Sequence, residues 1–115
     1  MLHERPLAYL PAYIAAARAR GRPTRLVLRN SDRVGLVHLY FFQGRLVLVE
    51  GHRGAGAASL ADLATWQNGT IRQDDLDSPP ANGSSDLQLE AALADALRQL
   101  EARQVVGRST PPGSD

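Results

Sequence analysis

Cysteine is absent from the sequence, which excludes disulfides and thiolate chemistry and sets the expectation of a cytoplasmic protein. Lysine is absent as well: all 13 basic residues are arginine, so no mechanism that requires a lysine is open to this chain. No apolar run approaches the roughly 20 residues of a membrane span. The opening "MLHERPLAYLP" has no basic stretch leading into a long apolar segment, so neither an anchor nor a secretory signal is expected. Histidine is scarce. His3, His38 and His52 form no H-x-x-x-H or H-x-x-E-H pair, and without cysteines no metal site is expected.

At 115 residues, 43% hydrophobic and 22% charged, the chain has the size and composition of one ordinary globular domain. Its net charge of +1 is unevenly spread: nine arginines face three acids through Arg53, and four face nine acids after it.

Apolar positions Leu7, Leu10, Ile14 and Ala17 share one helical face, so a helix is expected from about Leu7 to Arg20, starting near or bending at Pro11 and stopping at Gly21. "TRLVLR" then reads as a strand, Thr24 to Arg29, closed by the turn-forming "NSD". "VGLVHLYFFQGRLVLVEG" is a hairpin with Gln43-Gly44 as a two-residue loop. Continued without interruption, that register puts Val37, Leu39, Phe41, Leu46 and Leu48 on a uniformly apolar face. The other face is mixed and carries His38, Tyr40, Phe42, Arg45, Val47 and Val49.

After the glycine loop, Leu60, Leu63 and Ala64 repeat at helical spacing toward Trp66, "NG" ends that helix, and "TIRQD" returns as a last strand. The acidic, Pro/Gly/Ser-rich "DDLDSPPANGSS" reads as a flexible linker whose aspartates Asp74, Asp75 and Asp77 are solvated. Ser85 is the expected cap of a final helix, with Gln88 as its box partner. Leu89, Leu93, Leu97 and Leu100 form that helix's apolar stripe. The expected fold is α+β: a single domain with a small antiparallel sheet centred on a hairpin.

Two candidate sites emerge. The loop Gly51–Gly56 follows a strand and opens a helix; Gly54-Ala-Gly56 approximates a dinucleotide fingerprint, and Asp74 lies 20 positions on, where a ribose-binding acid would sit. Gly51 and Gly56 also have P-loop spacing, but Ala57-Ala58 replace the lysine and hydroxyl of that motif, and the preceding strand belongs to a hairpin. An anion site at Arg53, Gly54 and Gly56 is therefore the weak alternative to a purely structural helix entrance. Arg18, Arg20, Arg22, Arg25 and Arg29 form the densest basic patch. It would suit phosphates, yet no recognition motif accompanies it, so nucleic acid is the secondary reading, behind a docking surface for an acidic partner or a plain solvated helix end. No serine, histidine and carboxylate set or nucleophile elbow points to an enzyme, and no cofactor is implied.

The stretch "LYFFQGRLVLVEG…GAGAASLADLATWQNGTI" resembles the PATAN domain of bacterial signalling proteins, found at the N-terminus of a cyanobacterial pattern-formation response regulator. The resemblance runs over about residues 7 to 73. It is carried by Gly44 as turn glycine, Gly56 at the helix entrance, Leu60 and Leu63 as buried positions, and Trp66, Gly69 and Ile71 in the closing W-x-x-G-x-F pattern. Gln43, Val49, Ile71 and Gln73 depart from the usual residues. The family implies a non-catalytic interaction module in signal transduction, with protein partners.

On this reading residues 1–76 are the PATAN-like core, 77–85 the linker, 86–106 the final helix and 107–115 a flexible tail. The expected partner surface is Arg18, Arg20, Arg22, Tyr40, Phe42, Val47 and Val49. The final helix is expected to cover the mixed hairpin face, across a homodimer in preference to within one chain.

Overall fold

A computed structural model describes residues 4–52, 54–84 and 86–107. His3, Arg53, Ser85 and the tail from residue 108 lie outside the described residues. The elements follow in the order β1 (Arg5–Pro6), a 3-10 turn (Leu7–Tyr9), α1 (Leu10–Ala19), β2 (Thr24–Asn30), β3 (Leu36–Phe42), β4 (Arg45–Gly51), β5 (Gly54–Ala55), α2 (Ala57–Leu63), β6 (Gly69–Asp75) and α3 (Leu87–Ala102).

The expected first helix is thus divided, with Pro11 the second residue of α1, where its missing N–H costs no hydrogen bond. All strands join one antiparallel six-stranded sheet in the order β1-β6-β2-β3-β4-β5. This is the α+β architecture that the sequence pattern implies. Both outermost strands are two residues long, too short for period-2 alternation to reveal, and one contains Pro6; such edges offer little to strand addition.

The hairpin turns at Gln43 and Gly44, with φ of 54° and 80°, the signs of a type I′ turn. Phe42 pairs with Arg45 and Phe41 with Leu46, but a bulge follows, and Tyr40 pairs with Leu48 and Leu39 with Val49. This corrects the uninterrupted register. The extra residue is Val47, whose carbonyl accepts a hydrogen bond from the Ser84 amide at 2.8 Å. The shift turns Val49 into the core, 1% exposed, and leaves Leu48 half-buried on the opposite face. Val49 is therefore no part of a partner surface.

All three helices pack on one face of the sheet. Leu10, Ile14 and Ala17 of α1, Leu60 and Leu63 of α2, and Leu93 and Leu100 of α3 share a single apolar cluster with Leu26, Leu28, Val37, Leu39, Phe41, Leu46, Val49 and Ile71. Trp66, 1% exposed, sits three residues beyond the end of α2, and its indole N–H donates to Asp62 at 3.3 Å.

The final helix also differs from expectation. Its cap is Asp86, whose side chain accepts from the Gln88 amide at 2.8 Å. The helix ends at Ala102, and a left-handed Gln104 (φ 59°) returns the Val105 amide to the Leu100 carbonyl, closing a Schellman turn that drops Val106 into the core. Because α3 packs on the uniform face beside α2, no helix among the described residues lies over the mixed face. The linker is tied to the sheet region at two points, Leu76 to Pro23 and Ser84 to Val47, and turns on itself where the Gly83 amide donates to the Pro80 carbonyl.

Candidate binding face

Strand alternation decides what the helix-free face presents. The pairings align Arg72, Val27, His38 and Glu50 in one row across β6, β2, β3 and β4, and Asp74, Arg25, Tyr40 and Leu48 in the next. Thr70, Arg29 and Leu36 make a third. Val27 and Tyr40 are buried, yet neither belongs to the cluster that holds the helices. Tyr40 instead lies edge-on to the His38 ring, their centroids 6.2 Å apart.

These rows support a continuous polar network. Arg72 donates to Asp74 through Nε at 3.1 Å and through Nη2 at 3.2 Å, and Arg25 donates to the same carboxylate at 3.2 and 2.8 Å. The Tyr40 hydroxyl donates to Glu50 at 3.2 Å. Asp74, whose side chain is 12% exposed, is thus no solvated linker residue as its sequence context implied. Burial pushes its carboxyl pKa up, but the two guanidinium groups outweigh that and hold it below the usual range. His38 is held below the ordinary histidine value, first by burial and then by the charges of Arg25 and Arg72.

The sequence-level basic patch is dispersed by pairing. Arg18 donates to Glu90 and to the Gly44 carbonyl and lies over the Phe41 ring, 5.1 Å from its centroid. Arg20 pairs with Asp75 at 2.6 Å, and Arg25 with Asp74. Arg22 and Arg29 remain exposed without a partner among the described residues. Phe42 and Val47 are half-buried near the hairpin turn, on the face with Tyr40 or at the bulge. Two arginines and two carboxylates make the central network neutral, which is not the single-signed field that draws phosphates.

The Gly51–Gly56 loop has a packing explanation. A Cβ on Gly51 would lie 2.6 Å from the Ser59 hydroxyl oxygen and 2.8 Å from the Leu36 carbonyl, so only glycine fits. Ser59 is fully buried and donates to the Gly54 carbonyl at 2.6 Å, tying the loop to the first turn of α2. Gly56 enters that turn at φ 63°. Arg53 lies outside the described residues. Among the described residues no group of three or more histidines or carboxylates is placed to hold a metal, and no helix is long and apolar enough to cross a membrane.

The remaining motif residues sit in the frame. Gly44 forms the hairpin turn; Leu60, Leu63, Trp66 and Ile71 are at most 1% exposed. A Cβ on Gly69 would meet the Arg29 carbonyl at 2.6 Å and the indole of Trp66 at 3.5 Å. The residues that sequence reasoning missed as a group are Arg72, Asp74, Arg25, Glu50 and His38. The alternation of Arg72 and Asp74 around Gln73, after buried Ile71, signals one polar strand face. That β6 pairs with β2, which assembles the group, has no local signal. Comparison of the chain with family models, with curated proteins and with solved structures found no match in any of the three.

Proposed function

We propose that this chain is a non-enzymatic protein-binding module that works through its helix-free sheet face. The observation that carries the reading is a six-stranded sheet whose helices, among the described residues, all lie on one side. Its other side holds half-buried apolar residues, Leu36, Phe42 and Leu48, among arginines and carboxylates already fixed by one another. Pre-set polar groups around apolar contacts lower the ordering cost of binding. The resemblance of residues 7–73 to the PATAN domain supports the finer assignment: an adaptor in bacterial signal transduction, acting in the cytoplasm, without cofactor or catalytic residues.

The neutral network favours a protein surface over nucleic acid, and the packing role of Gly51 and Ser59 speaks against a nucleotide loop. The test is affinity capture from the source cell with the wild-type chain, an Arg29→Glu/Leu48→Glu variant of the open face, and an Ala61→Arg control on the exposed side of α2. A specific protein held by wild type and control, and lost by the face variant at unchanged melting temperature, is the expected result. Equal capture by all three, or nucleotide hydrolysis abolished by changing Gly56, would overturn it.

A further inference from the structure

The rows of the open face are asymmetric in charge across the sheet: Arg72 lies on β6 at one side and Glu50 on β4 at the other, with Val27 and His38 between them. We propose that this face is self-complementary and pairs with a second copy of the chain about a two-fold axis running along the strands between β2 and β3. This rests on the reading of the open face as a binding surface and names its occupant.

The geometry follows from the register. Such an axis reverses the strand order of the facing sheet, so Arg72 of one copy lies over Glu50 of the other, twice in the dimer, and Val27 lies over His38. In the next row Arg25 lies over Tyr40 and Asp74 over Leu48, with Arg25 and Asp74 already paired within their own chain. In the third, Arg29 covers Leu36 with its aliphatic stem. No like charges meet at these positions. Facing sheets pack about 10 Å apart and rotated by roughly 30°. Arg72 and Glu50 stand roughly 7 Å from the axis, so that rotation displaces the pair by only about 4 Å, within an arginine's reach.

The four long strands at about 4.8 Å spacing, each seven residues of about 3.3 Å, present roughly 450 Å² per copy, about 900 Å² in all, which is below the span of stable interfaces and in the range of weak, transient ones. The dimer is accordingly one that forms at tens to hundreds of micromolar protein.

Analytical ultracentrifugation of the full chain tests this with two charge reversals, Glu50→Arg and Arg72→Glu. Each alone sets like charges against each other in its own homodimer, whereas their mixture restores both opposite pairs in a heterodimer. The expected result is dimer for wild type and for the mixture, and monomer for each variant alone, with unchanged circular dichroism. Should a variant fail to fold, the cysteine-free background offers a second route. Arg72→Cys and Glu50→Cys chains, mixed and treated with a short bismaleimide, should cross-link far more than either alone, because like positions are offset sideways by roughly 14 Å across the axis. A wild type monomeric at 500 micromolar, single variants that dimerise like wild type, or cross-linking no better in the mixture overturns the proposal. A monomer whose partner capture still depends on Leu48 removes the dimer and leaves the binding face standing.

Discussion

Arg18 and Glu90, 72 residues apart in sequence, meet through both terminal nitrogens of the guanidinium at 3.0 and 2.6 Å. The contact clamps the end of α1 to the first turn of α3, and the same carboxylate accepts the Leu46 amide at 2.9 Å next to the hairpin turn. One side chain thus joins three elements.

Removing that carboxylate leaves a half-buried guanidinium and a strand amide without their partner. Glu90→Ala should cost about 1–2 kcal/mol once solvent screening is allowed for, measured by urea unfolding at neutral pH. The pH dependence has a defined sign. The Arg18 hydrogen bond, opposed by burial and aided by the Leu46 amide, holds the Glu90 carboxyl below its ordinary 4.5. Asp74 is likewise held below 3.8, burial being outweighed by Arg72 and Arg25. Folded pKa values below the unfolded ones give stability that is complete above pH 4.5 and is lost as pH falls through the folded values. The melting temperature should therefore drop steeply below about pH 4. In Glu90→Gln it should start lower at pH 7 and drop less. A variant as acid-sensitive as wild type would refute the assignment.

How much of this was legible in the sequence depends on the range of the signal. The hairpin turn, the core leucines and Trp66 follow from short periodicities and turn chemistry. The bulge does not, because "LVLV" is apolar throughout and offers no alternation from which to read a one-residue shift. Only the surroundings choose Val49 over Leu48 for the core. The Arg18–Glu90 clamp and the Arg72–Asp74–Arg25 network likewise depend on pairings 72 and 49 residues apart, which composition and spacing cannot see.

Gln104 occupies a left-handed position, φ 59°, at the end of α3. A side chain there costs about 1–2 kcal/mol, and glycine gives back roughly half of that relief through its freer unfolded chain. Gln104→Gly should stabilise the domain by about 0.5–1 kcal/mol, read as a rise of roughly 3–5 °C in melting temperature. An unchanged or lower value would mean that the turn is not set as described.

Gly51 should tolerate no side chain. Gly51→Ala forces a methyl group against the Ser59 hydroxyl and the Leu36 carbonyl, and should cost about 2–3 kcal/mol by urea unfolding. Gly21→Ala, with nothing within 4 Å of the new carbon, should leave stability within about 0.5 kcal/mol. Equal effects at the two sites would remove the packing explanation for the glycine loop.

The central claim, that binding occurs on the helix-free face, is tested most directly by site-specific photo-cross-linking in the source cell. A photoreactive residue is placed at exposed Arg29 on that face, or at exposed Ala61 on α2. The account predicts a discrete adduct from position 29, either with a second copy of the chain or with another protein, and none from position 61. Adducts from position 61 alone would place the binding surface on the helices and contradict it.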